Sequence, residues 1–147
     1  VPPRKERIPV VLDTNVVVGF FLSTYRQSAN QRVFRLWYHR QLQLVVSEEV
    51  VAEYLELVER MGIPQQRIDA FLERLHRRDI VIHVNLGPRF AESRDPDDNI
   101  MLATAVTGKA KFLITNDRDL LDIPTERQRK FKFEIVTPQE FLVQLAE

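Results

Sequence analysis

Carboxylates are the residues of this chain whose types and spacing offer chemistry. Asp13 closes a short apolar run from Ile8 to Leu12, Asp117 lies two residues past a second run from Phe112 to Thr115, and Asp95, Asp97 and Asp98 crowd into one stretch. The segment after Ser47 adds Glu48, Glu49, Glu53, Glu56 and Glu59. No cysteine is present, which excludes thiol nucleophiles, disulfides, iron–sulfur ligation and cysteine-built zinc sites. His39, His76 and His83 lack metal-ligand spacing, and glycines at 19, 62, 87 and 108 compose neither a phosphate-cradling loop nor a dinucleotide fingerprint. Any phosphate chemistry must therefore rest on acids.

Four carboxylates brought together make a demand of their own. Each pair at about 5 Å repels by roughly 3 kcal/mol at an effective dielectric near 20, so some must stay protonated or a divalent cation must neutralise them. An all-oxygen donor set favours Mg2+ or Mn2+ over zinc or copper. Such an ion polarises a phosphoryl oxygen and lowers the pKa of a bound water, which supplies a nucleophile without serine, cysteine or histidine.

The elements that would position these acids can be read from the pattern. Strands are expected at Ile8 to Leu12, Leu42 to Val46, Ile80 to Val84, Phe112 to Thr115 and Ile135 to Val136. Between them the spacing predicts helices over Ala29 to His39, from Ser47 as N-cap to about Met61, from Pro64 through Leu75, and from Asp95 as N-cap to about Thr107. A single helical turn at Asp117 to Leu121 and a closing helix capped by Thr137 complete the order. Alternating strands and helices predict an α/β fold, a mostly parallel sheet of about four or five strands flanked by helices. In such sheets ligands bind beyond the carboxyl ends of the strands, where Asp13 and Asp117 fall. On the helix after Ser47, about 100° per residue sweeps Val50, Val51, Tyr54, Leu55, Leu57 and Val58 into one apolar arc, with Glu53 only about 40° outside its edge. Glu53 is thus the acid of that helix expected at the rim of the core. Asp95, Asp97 and Asp98 also have a simpler account, as complements of a helix N-terminus.

The chain has 147 residues, 44% of them hydrophobic, enough for one core, and one domain is expected over 8–147 behind a mobile tail at 1–7. No apolar stretch has the length of a membrane span and the opening residues do not read as a signal peptide, so a cytoplasmic protein without a membrane partner is expected. Lys plus Arg and Asp plus Glu number 21 each, which excludes a globally basic nucleic-acid glove. The zero total hides opposed patches. Residues 41–59 hold five acids and no base, whereas 60–94 hold seven arginines against four acids. Arg67, Arg74 and Arg78 fall within about 40° of one another on a helical wheel, either as a track for an RNA backbone or as an ordinary solvated flank. Phe20, Phe21 and Leu22 read as core or as a self-association surface, and Trp37 as core.

Taken together, Leu12-Asp13-Thr14-Asn15, Glu53, Asp95-Pro96-Asp97-Asp98-Asn99 and Thr115-Asn116-Asp117-Arg118-Asp119-Leu120 resemble, in order and spacing, the PIN-domain nucleases. The likeness is to the VapC-like group of toxin components of toxin–antitoxin systems, and it spans about Ile8 to Leu145. It implies a three-layer α/β/α domain that hydrolyses RNA phosphodiesters with Mg2+ or Mn2+ held by Asp13, Glu53, Asp98 and Asp117. Asn15, Thr115, Asp119 and Asp95 are implied as supporting residues, and an antitoxin protein and a homodimer as partners. Asn116 departs from the glycine common before the last acid. Two other readings stand beside it: a noncatalytic module that binds RNA or protein, and an aspartyl-nucleophile phosphatase with Asp13 as nucleophile. The phosphatase lacks its second acid, because residue 15 is Asn.

Overall fold

The computed structural model describes residues 7–87 and 99–146. Five strands, β1 (Ile8–Leu12), β2 (Leu42–Ser47), β3 (Val81–Val84), β4 (Phe112–Ile114) and β5 (Glu134–Val136), form one sheet in the order β3-β2-β1-β4-β5. Every pairing is parallel. The described helices are α1 (Thr14–Leu22), α2 (Ala29–Tyr38), α3 (Glu48–Arg60), α4 (Gln65–Leu75), α5 (Ile100–Thr107), α6 (Arg118–Leu121), α7 (Thr125–Gln128) and α8 (Pro138–Ala146). The expected α/β architecture with a parallel sheet between helical layers is the one found.

Strand burial explains why the apolar runs read so clearly. Val10, Val11, Leu12, Leu44, Val45, Val46, Leu113 and Ile114 are all 1% exposed or less, as strands covered on both faces must be. Trp37 is core as expected, its indole N–H donating to the Ile80 carbonyl at 2.9 Å. Observed strand and helix limits differ from the expected ones by about a residue, with three exceptions. The helix preceding β4 starts at Ile100, and Asn99 is its cap, accepting from Met101 N–H at 2.7 Å; Asp95 and Pro96, expected as cap and first position, lie outside the described residues. Between the first strand and the helix at Ala29, where the expected order lists no element, the chain forms the nine-residue α1 directly after Asp13. The turn at Thr125–Gln128 carried no recognised signal.

Phe21 is core and Phe20 stacks on Phe34 with centroids 4.0 Å apart, which answers for most of the aromatic surplus; Leu22 stays 52% exposed. The helices α1, α2 and α3 pack around this aromatic centre, while α5 lies against β1, β2 and β4. Along α5, Thr104 Oγ1 meets Ser47 Oγ at 2.9 Å at the carboxyl end of β2. One turn later Gly108 presses on the sheet. A Cβ there would stand 2.2 Å from Cγ1 of buried Val45, a short, stiff side chain. Gly108→Ala is therefore expected to destabilise the protein by about 1–3 kcal/mol, read as a lower denaturant midpoint at unchanged slope.

Candidate active site

The chain runs from β1 outward to β2 and β3, then returns to lay β4 and β5 on the other side of β1. The direction of winding thus reverses between β1 and β4, and it is beyond the carboxyl ends of two such strands that open sheets of this kind place their binding crevice. Asp13 stands at that edge. Its N–H still belongs to the ladder, donating to the Ile114 carbonyl at 2.9 Å, while its own carbonyl already accepts from Val16 and Val17 in α1. Held by two elements at once, the side chain has little freedom. Oδ1 accepts from the Thr14 N–H at 2.8 Å as the cap of α1, and Oδ2 accepts from Thr115 Oγ1 at 2.6 Å and Asn15 Nδ2 at 3.3 Å. Asp13 is 8% exposed.

Thr115, buried at the end of β4, carries the link across the crevice. Its hydroxyl donates to Asp13 and accepts from the Asp117 N–H at 2.9 Å, and Asn15 Oδ1 accepts from the Asn116 N–H at 3.2 Å. Asn116 does not adopt the left-handed backbone that favours glycine, so the residue fits this position. Asp117 caps α6 by accepting from the Asp119 N–H at 2.9 Å; Asp119 is exposed and contributes that N–H.

On the opposite flank, fully buried Tyr54 donates its hydroxyl to the Leu12 carbonyl and so ties α3 to the last residue of β1. Glu53, its neighbour in α3, emerges at the rim as the apolar arc requires, and its Oε2 accepts from Thr14 Oγ1 at 2.7 Å. Thr14 therefore holds Asp13 by its amide and Glu53 by its hydroxyl. This role escaped sequence reading, because the face of Thr14 can be assigned only once α1 is known to begin there.

The charges reinforce one another. Burial pushes the Asp13 carboxyl above its ordinary 3.8; hydrogen bonds from Thr115 and the Thr14 amide oppose this, and the charges of Asp117 and Glu53 add to the rise. Burial, followed by the charges of Asp13 and Glu53, raises the Tyr54 hydroxyl well above 10.0, which keeps it a donor to Leu12. Asp13, Glu53 and Asp117 thus share one electrostatic neighbourhood. Asp95, Asp97 and Asp98 lie outside the described residues, and among those described no three acids or histidines group tightly enough to hold a metal ion unaided. The donor chemistry nonetheless fits a hard divalent cation: every available group is oxygen, and the most buried carboxylate is one whose negative form its surroundings disfavour.

The three arginines that fall together on a helical wheel do not all lie on one helix. Arg67 donates to the Phe21 carbonyl at 2.9 Å and lies over the Phe21 ring at 5.0 Å; Arg74 lies over Tyr38 at 4.0 Å. Arg78 falls beyond α4, which ends at Leu75, so the helical wheel does not reach it.

A parallel α/β sheet with acids at its switch point defines a class of domain suited to metal-assisted phosphate chemistry. The model of one family, the PIN domain, matches residues 9–119, most of the chain, and the protein belongs to that family. PIN domains are in general nucleases that need divalent metal ions. No curated protein and no solved structure matches the sequence.

Two outcomes follow from the geometry. Thr115→Val removes the hydroxyl that orients Asp13 and is expected to weaken Mn2+ affinity about 10–100-fold, measured by titration calorimetry on folded protein. A carboxyl raised on folding contributes stability that is complete below its unfolded value and fades as pH climbs through the folded one. Relative to Asp13→Asn, the metal-free wild type should therefore lose melting temperature as pH rises above 3.8, and added Mn2+ should restore it in the wild type alone.

Proposed function

We propose that this protein is a metal-dependent endoribonuclease, a VapC-like toxin component, built as one domain over residues 8–147. Asp13, Glu53, Asp98 and Asp117 are its metal-holding acids. The observation that carries the reading is the buried carboxyl of Asp13, raised by burial and by Asp117 and Glu53, at the switch point of a PIN-family sheet. Asp98 joins the set on this reading because it directly precedes Asn99, the cap of α5, which the Ser47–Thr104 pair anchors beside the carboxyl end of β2; Asp95 is its supporting neighbour.

Bound among these acids, Mg2+ or Mn2+ supplies Lewis-acid stabilisation of phosphoryl charge and an acidified water. The chain's own part is positional. Thr115 and the Thr14 amide keep Asp13 aimed and favour its ionised form, Thr14 Oγ1 steadies Glu53, and Asn15 fixes the turn after β4 through Asn116. Among the described residues no helix is long and apolar enough to cross a membrane, consistent with an RNA substrate met in the cytoplasm. An antitoxin protein and a homodimer are the partners of this reading, supported by the likeness of the acidic motifs to toxin components.

The test is cleavage of end-labelled single-stranded RNA. Internal cuts are expected with Mn2+ or Mg2+ and none with EDTA, and Asp13→Asn or Asp117→Asn should lower the rate at least about 100-fold. Undiminished cutting by either folded variant, or cutting in EDTA, overturns the reading.

A further inference from the structure

At the opposite, amino edge of the sheet lies a 570 Å3 groove between the end of α5 and the strand entries of β4 and β5. Lys109, Lys111, Lys130 and Lys132 surround it, four of the chain's five lysines, and all four are exposed. Among the described residues none of them forms an ion pair; the ion pairs found there all use arginine. The floor is aromatic: half-buried Phe131 lies on buried Phe133 with centroids 4.9 Å apart and planes 14° from parallel. The position past the C-terminus of α5 accounts for Lys109, since a cation is favoured there. It does not account for the other three.

We infer that this groove is a second, noncatalytic contact for a single strand of RNA, its phosphates against the four lysines and a base against Phe131. Point-charge ammonium groups suit phosphates, and an aromatic platform ringed by cations is how sequence-tolerant single-strand sites are built. An acidic protein segment would use the lysines but leave the ring face without a planar partner. The groove also answers a need of the proposed nuclease. Glu48 and Glu49 in the first turn of α3, together with Glu53, Asp13 and Asp117, repel a polyanion from the catalytic edge, so the strand requires a cationic footing elsewhere. From Lys111 to Thr115 along β4 is only about 13 Å, within reach of one short strand.

The inference rests on the nuclease reading for its ligand, and binding is therefore measured apart from turnover. A labelled single-stranded RNA about 12 nucleotides long is titrated in EDTA by fluorescence anisotropy at several salt concentrations. The paired substitution Lys130→Glu and Lys132→Glu should weaken binding at least about tenfold and lower the log–log salt slope by about 0.7 for each phosphate the protein no longer neutralises. Replacing the same pair by Arg should keep both, and Phe131→Ala should weaken binding about fivefold or more. Unchanged affinity and slope in the folded charge-reversed protein overturn the inference, as does a wild type that binds no RNA. Tighter lysine-dependent binding of poly-glutamate, marking a protein partner, or of adenosine monophosphate, marking a nucleotide pocket, also overturns it. Metal-dependent cutting that persists while RNA binding ignores the lysines sinks this inference and spares the nuclease. Lysine-dependent binding by a protein that never cuts does the reverse.

Discussion

The structure turns on a carboxylate kept out of water. Asp13 sits at the end of a strand buried on both faces, and its three donors return only part of the solvation that burial removes. Nearby Asp117 and Glu53 push the same way as burial. Relaxation cannot relieve this, because the backbone of Asp13 is shared between the β1–β4 ladder and the first turn of α1, and moving the side chain would cost the helix its cap. The folded chain therefore holds a negative site whose charge is best quenched by something that binds it.

Topology makes the arrangement possible. Asp13 and Thr115 are 102 positions apart in sequence, yet their side chains meet at 2.6 Å because β4 is laid beside β1 after the chain has wound outward through β2 and β3. The contact is set by strand register, Leu12 opposite Ile114, and not by a loop. Tyr54 fixes α3 to the same strand end, which is why an exposed glutamate one residue earlier is held beside the site. Two threonines finish the assembly. Each offers a hydroxyl to a carboxylate, and each hydroxyl or amide bridges residues from different elements.

What the sequence made legible follows from burial. Strands covered on both faces are continuous apolar runs, so their ends, and the acids placed there, could be located without coordinates. Glu53 was legible because α3 is amphipathic, with Val50, Tyr54 and Val58 inward. The same logic fails for α1. Its residues Val16, Val17, Val18, Phe20 and Phe21 are apolar nearly all round and β-branched in part, so no helical period stands out, and Thr14 was invisible with it. Arg67 and Arg74 were legible only in part. A wheel gives direction but not neighbours, and these two lie against aromatic rings supplied by α1 and α2. Asn99 displaced Asp95 as the cap of α5 because either residue type can satisfy a first turn, and sequence alone does not decide between them.

A neutral chain is an unusual vehicle for a polyanionic substrate, and the separation of its charges bears on how it could serve. At physiological ionic strength the Debye length is about 8 Å, shorter than the roughly 13 Å of β4 that divides the lysine groove from Thr115. The lysines consequently do little to relieve the acids of the crevice, and the acids do little to weaken the lysines. A strand held at the amino edge would still be repelled at the carboxyl edge until positive charge arrives among the acids themselves. In that arrangement a divalent cation does more than assist the chemistry: its presence decides whether the crevice rejects a phosphate or accepts one, while the footing for the rest of the strand is left unchanged.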